Sequence, residues 1–256
     1  MRRLKLVDSH AHLSDNAFEK DLDHVVLRAK ENNLVAIVDC GLGKSGALRS
    51  LTISERFQGY VYSTIGIDYG APFSEDTEEI IRLILENKSR IIGIGEVGLD
   101  YYTVKKPEDK TKLIDVFREF IDLARKLELP LIVHSRSAGK EAIKILVEEG
   151  AKKVLMHAFD GKASYAMKGV ESGFFFSLPP SVVRSQQKQK LVSRLPIENI
   201  LLESDSPVLG INPFERNEPA KIVFSLQEIA RMKRLDPELV ADETTKNASR
   251  LFGLRI

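Results

Sequence analysis

Four of the five histidines in this chain, His10, His12, His134 and His157, close short apolar runs. His10 and His12 stand two apart in Asp8-Ser9-His10-Ala11-His12, so in an extended segment both imidazoles leave the same face and can reach one ion. Glu96 and Asp205 end two further apolar runs. Grouped imidazoles and carboxylates are the donors that a divalent metal takes. Six donors are more than one four-coordinate catalytic zinc draws from a protein. They suit two ions about 3.5–4 Å apart that share a carboxylate and a water-derived hydroxide. Glu96, on a middle strand, is the natural bridge, because its charge screens two cations from each other. Asp205 has two candidate tasks, as ligand and as acceptor of the attacking water's proton, which makes Glu96 and Asp205 the candidate catalytic pair. Asp8 and Glu203 are expected behind the ligands, with Glu203 orienting a histidine. Arg136, two residues beyond His134, offers a planar fork for a phosphate. His24 falls within a helical pattern and is read as a surface or helix-flank residue.

Such residues need a scaffold that brings distant strand ends together. Eight apolar runs read as buried strands: Leu4–Asp8, Leu34–Cys40, Val61–Ile67, Ile91–Glu96, Leu131–His134, Val154–His157, Phe174–Ser177 and Ile200–Asp205. Several are continuous rather than alternating, as parallel strands covered by helices are. Helical periodicity fills most of the gaps, over Phe18–Glu31, Glu78–Leu85, Leu113–Leu127, Glu141–Glu149 and Lys221–Lys233. The tail from Asp236 to Leu254 predicts one or two short helices beneath the sheet. Strand–helix alternation on this scale predicts an α/β fold, a (β/α)₈ TIM barrel occupying residues 1–256 as a single domain. The candidate donors then lie at the C-terminal ends of the strands, where barrels of this kind build their active sites.

Composition narrows the class. With 38 basic and 37 acidic residues the formal net charge is +1, which argues against coating a long stretch of duplex. It leaves room for a pocket that takes one or two phosphates. Cys40 is the only cysteine, so no internal disulfide is expected. The N-terminus lacks the apolar stretch of a signal peptide, and no run reaches the roughly 18–20 apolar residues of a membrane span. A cytoplasmic protein with no membrane association and no obligate protein partner is expected.

Five segments, in order, carry a family resemblance: Asp8-Ser9-His10-Ala11-His12, Gly95-Glu96-Val97-Gly98-Leu99-Asp100-Tyr101-Tyr102, Pro130 to Arg136, His157-Ala158-Phe159-Asp160-Gly161 and Leu202 to Pro207. The first alone is shared by many amidohydrolases; together they resemble the TatD family of metal-dependent deoxyribonucleases, from Leu6 to Leu254. The resemblance implies a barrel with one metal on His10, His12, Glu96 and Asp205 and a second on Glu96, His134 and His157. It implies phosphodiester hydrolysis of DNA ends or short single-stranded nucleic acid, and family members are described as magnesium-dependent. Imidazole suits zinc, manganese, cobalt or nickel better than magnesium, so the expectation is two divalent ions of unspecified identity. Where the family carries Gly-Ile-His-Pro-His, this chain has Gly66-Ile67-Asp68-Tyr69-Gly70. Asp68 would present like charge to a phosphate, which bears on substrate class more than on hydrolysis. Arg216 could reach over the barrel mouth, or lie in an exposed loop that leads into a helix begun by Pro219. Tyr101 and Tyr102 could stack on a base or pack beneath their loop. The alternative activity keeps the site and hydrolyses an amide, lactone or other ester; a non-catalytic barrel with a structural metal is a further alternative.

Overall fold

The computed structural model describes residues 4–67 and 77–256; Asp68 and Gly70 lie outside them. Eight parallel strands run in the order β1 to β8: Leu6–Ala11, Leu34–Leu42, Val61–Gly66, Ile91–Gly98, Leu131–His134, Val154–Met156, Phe175–Leu178 and Ile200–Leu202. Nine α-helices are described: α1 Leu22–Glu31, α2 Gly43–Arg56, α3 Thr77–Glu86, α4 Pro107–Leu127, α5 Gly139–Glu148, α6 Ala163–Glu171, α7 Gln186–Arg194, α8 Ile222–Lys233 and α9 Pro237–Phe252. Each of the first seven follows a strand, the βαβ pattern expected of a TIM barrel.

Side-chain alternation along the later strands sets up the site. Leu131 and Val133, Val154 and Met156, Phe174 and Phe176, and Ile200 and Leu202 all join the larger apolar cluster that also contains the helices' buried faces. The intervening Ile132, Leu155, Phe175 and Leu201 join a second cluster with Val7, Ala36, Val38 and Cys40. Residues two further on must share that inward face, and they are His134, His157, Ser177 and Glu203. The interior column therefore turns from apolar to polar towards the strands' C-terminal ends.

The floor beneath the apolar half is α9. Its Ala248, Leu251 and Phe252, with Leu254 after it, belong to the interior cluster. Thr245 Oγ1 donates to Lys5 O at 2.7 Å, and Asn247 Nδ2 to Ile200 O at 2.9 Å, fixing the helix under β1 and β8. The helix starts where Asp236 accepts from Glu238 N at 2.7 Å and Pro237 occupies the first turn, an N-cap followed by a pre-set φ. The tail is thus one helix of 16 residues rather than two short ones.

Helix α1 begins at Leu22, later than the apolar spacing from Phe18 suggested, because Asp15 caps a separate short turn over Asn16–Phe18. The first strand extends past Asp8 to Ala11, and the eighth stops at Leu202 rather than reaching Asp205. Between β1 and β8 there is no continuous ladder. The seam is stitched by Asp205 N donating to His10 O at 2.9 Å and His12 N to Ser206 O at 2.8 Å. Ser9 Oγ donates to Leu202 O at 2.8 Å, and Asp8 Oδ1 accepts from Ser204 N at 2.8 Å. Among the described residues, no helix is long and apolar enough to cross a membrane.

Candidate functional site

His10, His12, Glu96, His134, His157 and Asp205 converge at the barrel mouth. The Nε2 atoms of His10 and His12 are 3.1 Å apart. Each lies 3.4 Å from Glu96 Oε2, and they lie 3.3 and 3.4 Å from Asp205 Oδ1. Five of the six separations among these four atoms thus fall near the spacing of about 3.3 Å between donors around one tetrahedral ion with bonds of about 2.0 Å. The other carboxylate oxygen of Glu96, Oε1, faces the opposite way, 2.6 Å from His134 Nδ1 and 2.7 Å from His157 Nε2. Those two nitrogens are 3.3 Å apart. Two donor sets share one carboxylate, and the second offers three protein donors, the number left by a catalytic zinc with an open position. Four of these side chains, those of His10, Glu96, His157 and Asp205, are buried, and a carboxylate at such depth needs a counter-charge.

Burial disfavours the charged forms of His10, His12, Glu96, His134 and Asp205, but their contacts outweigh it. Burial opposes ionisation of Glu96, yet His157 and the hydrogen bonds from the other imidazoles hold its carboxyl well below the usual range. Asp205 is held low in the same way by His10 and His12. The imidazole of His134 is pushed down by burial but raised overall to about 9 by Asp100 and Glu96. Protons and a divalent ion thus compete for one set of atoms, since a ligating imidazole must be neutral.

Three of the four imidazoles have a polar contact behind the ring. His12 Nδ1 donates to Cys40 O at 3.0 Å, and His10 Nδ1 lies 3.1 Å from the buried Cys40 Sγ. Thr64 Oγ1 in turn donates to Cys40 Sγ at 3.1 Å. On the second set, His134 Nε2 pairs with Asp100 Oδ2 at 3.0 Å, which leaves Nδ1 to face Glu96. His157 Nδ1 is buried without a hydrogen bond, 3.7 Å from Glu203 Oε2. Glu203 itself accepts from Ser177 Oγ at 2.6 Å and Ala158 N at 2.8 Å, which fixes it behind His157. Asp8 lies at the β1–β8 seam. Buried without a partner for Oδ2, its carboxyl is raised to about 7 by desolvation, against the lowering effect of Ser204.

A cavity of about 620 Å³ opens onto His134, His157 and Asp205 and is bounded by Arg136 and Lys188. The Arg136 guanidinium stacks 3.8 Å from the ring centroid of Tyr102, which is exposed on the rim. Tyr101 packs against the core instead, the second of the two readings open for it. Arg216 is not among the residues bounding this cavity. Its guanidinium forks onto Asp21 at 2.8 and 2.6 Å and donates to Ala17 O at 2.6 Å, tying the loop before α8 to the start of α1.

Three contributors were not assigned from the sequence. Asp100 was visible only as part of a motif, and Cys40 only as a lone cysteine. Lys188, on the polar helix α7, is buried with Nζ donating to Ala158 O at 2.8 Å. Burial lowers its pKa, with Glu203, Asp205 and Asp160 pulling the other way. Lys188 falls in a stretch, residues 172–197, without a single carboxylate, but so do three other cations.

The family model for TatD related DNase matches residues 7–253. Human deoxyribonuclease TATDN3 is 43% identical over 96% of this chain and 94% of its own length. A Bacillus subtilis protein described as an uncharacterised metal-dependent hydrolase, YabD, is 35% identical over 97% of this chain and 99% of its own. The crystal structure of the Escherichia coli TatD homologue YJJV superposes with a TM-score of 0.89 over 98% of both chains at 20% identity, a likeness of fold. With the sequence match running from the first strand to the end of the last helix, the chain belongs to the TatD related DNase family.

Proposed function

We propose that this protein is a two-metal phosphodiesterase that removes nucleotides from the ends of single-stranded DNA. The observation that carries the reading is the divided carboxylate of Glu96, with Oε2 towards His10 and His12 and Oε1 towards His134 and His157. One ion would be held by His10, His12, Glu96 and Asp205, the other by Glu96, His134 and His157. Such a pair supplies Lewis-acid polarisation of a phosphoryl oxygen and activation of water. The donor set favours zinc, manganese, cobalt or nickel over magnesium.

The chain's own groups supply the rest. Asp205, ionised at neutral pH and open to the cavity, accepts the attacking water's proton. Arg136, stiffened by its stack on Tyr102, offers paired N–H groups to a non-bridging phosphate oxygen. Lys188 brings a desolvated positive charge to the opposite wall. Asp100 and Cys40 hold His134, His10 and His12 in the orientation needed, and Glu203 stands behind His157. The relatives named above as a deoxyribonuclease and a metal-dependent hydrolase support this class of reaction.

The test is end-labelled single-stranded DNA incubated with metal-stripped protein reloaded with magnesium, manganese, cobalt or zinc. Stepwise shortening that vanishes in Glu96→Gln is the expected result. No degradation with any of the four ions refutes the reading.

A further inference from the structure

Beside the cavity just described lies a larger one, of about 750 Å³, between the start of α6 and the exposed face of α7. The two share Asp160 and Gln187 as a common wall. Gln187 Nε2 donates to Gly161 O at 2.7 Å, so the wall is a hydrogen-bonded ridge rather than a mobile side chain. The outer groove is bounded by three cations, Lys162, Lys190 and Arg194. Its one carboxylate, Asp160, already accepts from the backbone N–H of Ser137 at 2.9 Å.

Three cations against one engaged carboxylate give this groove a positive edge. On α4, Arg125 and Lys126 both pair with Asp122, and on α5 Lys144 lies between Glu141 and Glu148. Lys162, Lys190 and Arg194 form no ion pair among the described residues. Residues 172–197, which include all of α7, hold four cations and no carboxylate, in a chain with 37 acidic residues. Uncompensated cations along a groove that adjoins a phosphodiesterase centre suit a strand of repeating negative charge. The chain's near-neutral total restricts this footprint to a short segment of strand.

We infer that the α6–α7 groove is the track for single-stranded DNA leaving the metal centre, with Lys162, Lys190 and Arg194 each holding one backbone phosphate. The inference rests on the phosphodiesterase reading for the identity of the strand. All three side chains are exposed, so substituting them leaves the core untouched.

The test compares the metal-loaded protein with a Lys162→Ala, Lys190→Ala, Arg194→Ala triple variant. Two measurements serve: cleavage of labelled di- and octanucleotides, and binding of an uncleavable phosphorothioate octamer. Three lost phosphate contacts should flatten the log–log salt dependence of octamer binding by about 2. Between 50 and 200 mM salt the wild type should therefore lose about 16-fold more affinity than the variant does. KM for the octamer should rise in the variant, while the dinucleotide and bis(p-nitrophenyl) phosphate should be hydrolysed as by wild type. Equal salt dependence and equal length dependence in the two proteins overturn the track. If the wild type binds the octamer through these cations but degrades no DNA, the track stands and the phosphodiesterase reading falls.

Discussion

Replacing Asp100 by alanine isolates the contribution of one buried contact to one half of the metal centre. Asp100 holds His134 Nε2 at 3.0 Å and is itself fixed by Thr103 N, which donates to Oδ1 at 2.8 Å. The His134 ring therefore has a defined rotation, with Nδ1 directed at Glu96. A hydrogen bond to a charged partner contributes about 1.5–3 kcal/mol, equivalent to roughly 10- to 150-fold in an equilibrium constant. Loss of such a support costs a metal site about 10- to 100-fold. Asp100 touches none of the four donors around His10, so the loss should fall on one site only. Isothermal titration of stripped protein with zinc should show two binding events in wild type. In Asp100→Ala the event assigned to His134 and His157 should weaken by about 10- to 100-fold, while the other stays within about twofold. Asp100→Asn, whose amide oxygen can still accept, should recover part of the loss. Equal weakening of both events, or of neither, would show that His134 is not positioned through this contact.

Gly66→Ala should damage both sites together, because a Cβ there would stand 2.1 Å from Glu96 O and 2.3 Å from Glu96 N and displace the bridging strand; the same titration reads it. Asp8 titrates near 7 in the fold and near 3.8 when unfolded, so folding favours its protonated form. Its contribution is fully present below the unfolded value and is lost as pH rises through 7, by up to about 4 kcal/mol. Urea unfolding of metal-free protein from pH 4 to 8 should show stability falling faster with pH in wild type than in Asp8→Asn. Leu251→Ala, in the barrel floor, should cost about 2–5 kcal/mol of stability by urea denaturation. Because α9 lies at the end opposite the metal centre, the kcat of the remaining folded enzyme should not change.

The strands were legible because burial on both faces leaves continuous apolar runs, and six of the eight begin at the predicted residue. The two runs misjudged most are the informative ones. At β1 the chain stays extended through His10, whereas the reading ended the strand at the first polar residue, Asp8. At β8 it leaves the ladder after Leu202, and Asp205 adopts φ 52, a left-handed conformation that aspartate tolerates better than most residues. Helices α2 and α7 gave little signal: α2 opens with Gly43-Lys44-Ser45-Gly46, and α7 is almost wholly polar. The six candidate donors stood out because each follows or closes an apolar run in the sequence. Cys40, Asp100 and Lys188 did not, since what they do depends on contacts across strands and loops that no spacing along one segment encodes.

The stitched seam between β1 and β8 has a topological consequence. His10 and His12 belong to one side of it and Asp205 to the other, so an ion held by these residues is a cross-link spanning nearly the whole polypeptide. Closing a loop of that length costs a flexible chain on the order of 5 kcal/mol in entropy. A cation bound there repays part of that cost as a clasp would, at the one place where neighbouring strands lack a continuous ladder. Under the proposed function, ligation of the first ion and circular closure of the barrel would fall on the same side chains.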